Sequence, residues 1–363
     1  MKKALIAVLI LAVAFGLFAD SSVLPKGVFK ADLGYGYLWG NKAFNEDGDK
    51  VDTEGIKNNI VGASLQYGIT DFLSIGVGCL PLYCFNSQVD PMVDGGEITA
   101  EGTGSVQVGV KFQLVGNESL VQSDNFGVSF SGGVYIPTVK ISEGDIKNAA
   151  IYDLTKQLAT APAEAQGLIQ GAIAQLGGPN YKFNNPVDTC AFAVGGRVDL
   201  DWRVFDNFCI SLGFDAKKKL SVDAKKDLTA AGTDLVYETV KNFPGVSDPM
   251  LKQFGIYNIV NVDYGMAYSL QLSPSLSIPL GTEGNSFGVS VPVTASYTAA
   301  DKHDGEKVGK PAKRISVAPG VGFTWLTCPL PMAVSVGMDI PVLGNSGDIH
   351  KTVSVTVSPF FAF

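Results

Sequence analysis

The chain has 363 residues, a formal net charge of -8, only 17% charged residues and 42 glycines. An acidic balance of this kind excludes nucleic acid as a natural partner. No linker or break in composition divides the chain into separate cores, so it reads as a single domain behind its N-terminal segment.

In that segment Lys2 and Lys3 precede an apolar run from Ala4 to Phe18, followed by Ala19 and then polar Asp20. This is the layout of a secretory signal peptide, residues 1–19, cleaved after Ala19. Its removal leaves residues 20–363 and moves the net charge to -10. An uncleaved anchor is the alternative, but about 15 apolar residues fall short of the ~20 a helix needs to cross a bilayer. Beyond Ala19 no apolar run reaches the ~18 residues of a membrane helix, so the hydrophobicity is carried by a large soluble core or hidden in alternation.

Alternation is what the sequence shows. In 28–39, Phe29, Ala31, Leu33, Tyr35, Tyr37 and Trp39 share one face, and Lys30, Asp32, Gly34 and Gly36 share the other. Side chains of a strand alternate between faces, so one surface is apolar and the opposite one small or charged. The split recurs through 60–69 and 73–83, and in 104–115, where Val106, Val108, Val110, Phe112 and Leu114 oppose Gln107, Gly109 and Lys111. After 126–137 it returns in 188–203, with Val194, Val198, Leu200 and Trp202 against Arg197, Asp199, Asp201 and Arg203. Four charges on one strand face are too many for a dry core. The pattern continues in 208–220, which carries Asp215 and Lys217, and in 262–280, which carries Asp263. Pro274 and Pro279 are awkward in mid-strand, so the regular part of 262–280 is expected to end near Ser273. Segments 286–299, 313–325, 332–341 and 351–363 complete a count of about twelve, with fourteen possible.

The connections alternate in length. Short turns at 70–72, 116–125, 204–207, 281–285 and 326–331 separate mostly longer, more polar stretches at 40–59, 84–103, 138–187, 221–261, 300–312 and 342–350. An all-β, transmembrane antiparallel up-and-down barrel in a bacterial outer membrane has this asymmetry, with long extracellular loops and short periplasmic turns. Two loops carry helical stripes: Ile146, Ala150, Leu154, Leu158, Ala165, Leu168 and Ile173 within 138–187, and Leu235, Val236, Val240 and Phe243 within 221–261, broken at Pro244-Gly245. Such helices either shape the barrel entrance or cap its surface.

On this reading the candidate substrate-pathway residues are Lys30, Asp32, Lys111, Arg197, Asp199, Asp201, Arg203, Asp215, Lys217 and Asp263, all on the face away from lipid. Opposed charges of this kind line a water-filled pore, or pair and fill the lumen of a barrel narrower than a 16-strand porin. His303 and His350 are expected in exposed polar loops, and no Cys/His cluster supports a metal, so neither a metal, a cofactor nor a catalytic constellation is expected. The cysteines, Cys79, Cys84, Cys190, Cys209 and Cys328, are odd in number; isolated thiols and a Cys79–Cys84 bridge both fit.

The stretches Leu24-Pro25-Lys26-Gly27, Tyr67-Gly68-Ile69-Thr70-Asp71 with Leu73-Ser74-Ile75-Gly76-Val77-Gly78, Gly102-Thr103-Gly104 running into Val110-Lys111-Phe112, and Val134-Tyr135-Ile136-Pro137-Thr138 carry a resemblance. The chain resembles the outer-membrane barrels associated with the meta-pathway of phenol degradation and, more loosely, the long-chain fatty-acid transporters. The resemblance implies passive uptake of apolar or aromatic small molecules. The Asn-Pro-Ala hatch stretch of the fatty-acid transporters has no counterpart here, since the corresponding place reads Asp20-Ser21-Ser22-Val23-Leu24-Pro25.

Two function classes follow: a channel or transporter for small solutes, and a structural or surface-interaction protein with a plugged lumen. The expected partners are outer-membrane lipid, a small-molecule solute and the barrel-assembly machinery, met through a C-terminal strand ending in Phe363.

Overall fold

The computed structural model describes residues 21–45, 47–83, 96–98, 102–117, 119–138, 140–158, 163–178, 181–183, 190–281, 285–327, 329–345 and 348–362. Residues 1–19, expected to be a signal peptide, lie outside them, as do Cys84, Cys328 and Phe363. So does any bridge from Cys79 to Cys84.

Twelve wall strands run in chain order and pair antiparallel with their neighbours. They are β1 Val28–Phe44, β2 Lys50–Thr70, β3 Leu73–Tyr83, β4 Gly102–Gly116, β5 Phe126–Pro137, β6 Ala193–Phe205, β7 Phe208–Lys219 and β8 Ala267–Pro279. β9 and β10 each come in two pieces, Ser286–Ser290 with Val293–Thr298, and Ala312–Val317 with Gly320–Trp325. β11 Met332–Gly344 and β12 Asp348–Ala362 follow, and β12 pairs with β1 from Val28 opposite Ala362 to Ala43 opposite Asp348. That last pairing closes the sheet into a barrel and leaves no open edge, as a lipid environment requires.

Which side faces out is decided by burial. Leu33, the Phe29-to-Trp39 face's central residue, is 58% exposed, and Val110, Phe130, Leu200, Phe214, Leu270 and Val336 are exposed with it. Their cross-strand partners' inward neighbours are buried serines, glycines and charges. The apolar surface is therefore a continuous outward belt for lipid. Aromatic residues edge it at both ends: Phe29 with Tyr67, Phe126 with Trp202 and Phe323 with Trp325 toward the short turns, and Tyr37 with Trp39 and Tyr268 with Tyr297 toward the long loops.

Three strand readings need correction. The polar stretches 40–59 and 342–350 are not long loops, because β1 and β2 run on to a tight turn at Asn45–Asp49, where the Asn45 amide donates to the Asp49 carbonyl, and β11 and β12 extend likewise. The segment 262–280 is two elements: Asn261–Asp263 belongs to a small separate sheet, and β8 starts at Ala267. β8 also continues through Pro274 to Pro279, because its partner changes at that level. Residues 267–272 pair with the second piece of β9 and 275–279 with the first.

The same accommodation repeats on the next two strands. Val291 N–H donates to the Pro274 carbonyl, Ala318 N–H to the Pro292 carbonyl and Met338 N–H to the Pro319 carbonyl. Each proline lacks the N–H that would bond its cross-strand partner, so the ladder misses one rung there while the register on either side stays the same. The prolines thus form a staircase across β8, β9 and β10.

The two loop stripes fold as helices. α1 Glu143–Leu158 and α2 Ala163–Gln175 come from the first, and α3 Leu228–Val240 and α4 Asp248–Gln253 from the second. Ser142 starts α1 with reciprocal bonds: its N–H donates to Asp145 at 3.1 Å, and the Asp145 N–H donates to the Ser142 hydroxyl at 3.1 Å. Gly232 of α3 lies directly on α1, where an added Cβ would come within 3.4 Å of the Ala150 nitrogen. Ala150, Ile151, Leu154, Ile169, Ile173, Val236, Val240 and Leu251 make one apolar core, with Ile146, Leu158, Leu168, Leu235 and Phe243 packed on it. The helices form a cap with its own interior. No helix among the described residues is long and apolar enough to cross a membrane.

Candidate functional site

The candidate site is the inner face of the wall, and inward glycines organise it. On β6 the Arg197 guanidinium lies over Gly213 of β7, where a Cβ would sit 2.2 Å from it, and so reaches Gln271 of β8 at 3.0 Å. Its Nε donates to Asp199 at 2.6 Å, and Lys111 of β4 stands 3.9 Å from the same carboxylate. Asp199 is 2% exposed. Burying a carboxylate is costly unless it is paired, and these two cations supply the pairing. The Tyr135 ring lies across Gly195, and the Lys217 ammonium sits 3.6 Å from its centroid, a cation held on a ring face. Asp215, two residues from Lys217, accepts from the Ser269 hydroxyl at 2.6 Å.

At the closing seam Asp32 gathers three strands. It pairs with Lys30 at 3.1 Å and accepts from Ser64 on β2 at 2.9 Å and from Ser358 on β12 at 2.6 Å. Nearby, Gln66 donates to it at 3.3 Å.

Of the remaining residues, Asp201 accepts from the backbone N–H of Ser21 at 2.6 Å, and Ser21 is buried against Gly127 of β5. The segment before β1 starts there, on β5 and β6, and ends at β1 and β2, where Gly27 N–H donates to the Gly68 carbonyl. It runs across the periplasmic end of the lumen. Nothing in the pattern of Ser21 to Pro25 signals this; the inward glycines that seat it are the only trace. Arg203 is exposed at the β6–β7 turn. Asp263 stands off the wall, in the small loop sheet, where it pairs with Lys218 at 2.9 Å and accepts from Ser221. The Lys218 bond, with that of Ser221, holds the Asp263 carboxyl below its ordinary range.

The structure brings Lys111, Arg197 and Asp199 into one cluster, keeps Lys30 with Asp32 as a second, and sets Lys217 on Tyr135. It also shows a third cluster absent from the candidates: Arg314 on β10 and Asp339 on β11 at 3.4 Å, beside His350 on β12. Continuing the alternation through Ser316 and through Gly337 and Ser335 places Arg314 and Asp339 on the inward face, so the signal was present. His350 departs from expectation. It is 3% exposed on a wall strand, because β12 begins at Asp348 rather than at 351. His303 is half-buried rather than exposed; it lies in the loop hairpin 301–308 with Nδ1 3.0 Å from the Tyr257 hydroxyl. Burial holds its imidazole below the usual value. Cys190 and Cys209 are not in a disulfide among the described residues.

Comparison with known proteins places this architecture. An outer-membrane channel from Pseudomonas putida F1 superposes with a TM-score of 0.59 at 12% identity, covering 94% of this chain and 98% of that one. At this identity the likeness is one of fold. The Pseudomonas putida toluene transporter TodX aligns over 97% of this chain and 93% of its own at 11% identity, with a TM-score of 0.37 that adds nothing to the comparison. No family model and no curated protein matches the sequence.

Proposed function

We propose that this chain is an outer-membrane channel for the passive uptake of small apolar or aromatic molecules, and not an enzyme. One observation carries the reading: the charges on the inner wall are cancelled where they stand. Lys30 is paired with Asp32 and Arg314 with Asp339, and the three cations Lys111, Arg197 and Lys217 stand among the three carboxylates Asp199, Asp201 and Asp215. Paired charges set up little net field along the lumen, so they do not select strongly by ion sign as a ring of one sign would. Between the pairs stand hydroxyls and glycines, including Ser74, Ser211, Ser273, Ser290 and Ser354, which offer a solute no fixed charge. The candidate residues then act as wall positions that hold the lumen's shape. Arg203 and Asp263, at the two ends, meet solutes first.

A plugged structural protein is the second reading, and a specific observation favours it. Ser129 is 0% exposed and Asp199 nearly so, and the Ser21 segment crosses the periplasmic end, so the midsection is closely filled.

Liposome swelling with the reconstituted mature protein separates the two. Entry of benzyl alcohol, with slower entry of glucose, is the expected result. Impermeability to both solutes would favour the plugged protein and end the channel reading. On either reading the partners are outer-membrane lipid around the belt and, during insertion, the assembly machinery engaging the C-terminal strand.

A further inference from the structure

Arg314 poses a chemical question that the wall does not answer. It is 6% exposed and faces inward on β10, in register with Ser296 and Gly344. Among the described residues its side-chain partner is Asp339, reached through one terminal nitrogen at 3.4 Å, and its buried Nε has no hydrogen-bond partner there. A guanidinium carries five N–H donors in a fixed fork suited to a planar, two-oxygen acceptor. Asp339 meets that fork at one corner only.

The surroundings are aromatic and apolar. The Phe44 ring lies over Gly344, the direct cross-strand neighbour of Arg314, where a Cβ would come within 2.7 Å of it. The His350 ring lies over Gly40, and Leu38 continues the same face of β1. Phe44, Leu38 and His350 are all buried. Two glycines on different strands, each bearing the flat ring of a neighbour, put an apolar aromatic surface beside an under-used guanidinium. Tyr37 and Trp39 point outward from β1 at this level, so the group lies at the extracellular edge of the belt, where a solute enters.

We propose that Arg314 is an anion-recognition point for aromatic carboxylates, with Phe44 and Leu38 as the apolar support for the ring and Asp339 as the internal anion that the ligand displaces. The inference deepens the channel reading and rests on it, because it names a solute class for the same lumen. Asp339 balances the guanidinium's charge and positions it between solutes. A carboxylate that engages Nε and a terminal nitrogen together makes two parallel bonds where Asp339 makes one.

The test is titration calorimetry of the full mature protein in detergent with benzoate and, as the uncharged ring of the same size, benzyl alcohol. Wild type is expected to bind benzoate at least tenfold tighter. R314Q is expected to abolish that preference while leaving benzyl alcohol unchanged. D339N, which removes the competing anion and retains Arg314, is expected to tighten benzoate severalfold. Equal affinities in wild type, or a preference that survives in R314Q, would overturn the proposal. Heat-modifiable gel migration reports folding of each variant; if R314Q does not fold, D339N decides, and an unchanged or weaker benzoate preference there is equally fatal. Swelling with benzyl alcohol in the same preparations tests the channel separately, since its failure would leave the benzoate titrations standing.

Discussion

The wall and the cap bury their apolar side chains in opposite directions. On β1, Leu33 points away from the protein and is 58% exposed, whereas on α1, Leu154 points into the protein and is 2% exposed. Both are leucines on regular elements of one chain. The difference is the solvent: the wall's outer face is stabilised by lipid, so its interior is free to be polar, while the cap stands in water and must hide its hydrocarbon among its own helices. The two regions therefore answer opposite substitutions.

The largest expected effect is in the cap. Leu154→Ala removes a fully buried side chain from the four-helix core and should cost about 2–5 kcal/mol of cap stability. Hydrogen exchange should show faster amides in α1 and α3 with the wall unchanged. Loss of protection in β1 or β2 as well would mean that cap and wall form one cooperative unit. Next comes the wall, where Leu33→Arg at the middle of the belt should cost about 2–4 kcal/mol, read as a lower denaturant midpoint for folding into vesicles. A cost near zero would place Leu33 outside the hydrocarbon.

The smallest effect is one of pH, and it lies in the loop hairpin 301–308, tied to the cap by Lys252 and Glu306. Burial lowers the His303 value in the folded state, so the neutral form is favoured and its contribution is complete above the ordinary value of about 6.5. That contribution is lost as pH falls through the lower folded value, opposed by Asp227, Asp301 and Asp304, which favour the charged form. Exchange in the hairpin 301–308 should therefore quicken modestly between pH 7 and 5 in wild type and less in His303→Gln. An equal response in both would exonerate the imidazole.

The contrast in solvent also explains what the sequence could disclose. Alternation is visible only where one strand face meets lipid and the other does not. It gave the phase of Lys30, Asp32, Lys111, Arg197 and Asp199 correctly, because Leu33, Val110, Val198 and Leu200 interleave with them. Where β1 and β2 run on toward Asn45, Lys50-Val51-Asp52-Thr53-Glu54 lacks the apolar alternation that marks a lipid-facing strand. The hairpin there and the start of β12 were therefore hidden, and His350 was hidden with them. The helical stripes were legible for the converse reason, since a cap in water needs a 3.6-residue period. What no pattern disclosed was the seating of long side chains on inward glycines, Arg197 over Gly213 and Tyr135 over Gly195, because it depends on register between strands rather than on order within one.

The proline staircase acts at a stage before the barrel exists. A chain bound for an outer membrane crosses an aqueous compartment without its neighbours in place, and every exposed strand then offers its backbone to any other extended chain. Pro274, Pro292 and Pro319 withhold a donor from each of three consecutive wall segments, and the finished sheet keeps its register across each missing rung. Residues that look like flaws in the completed ladder thus serve as gatekeepers during transit, making β8 to β10 poor templates for aggregation until their own partners arrive.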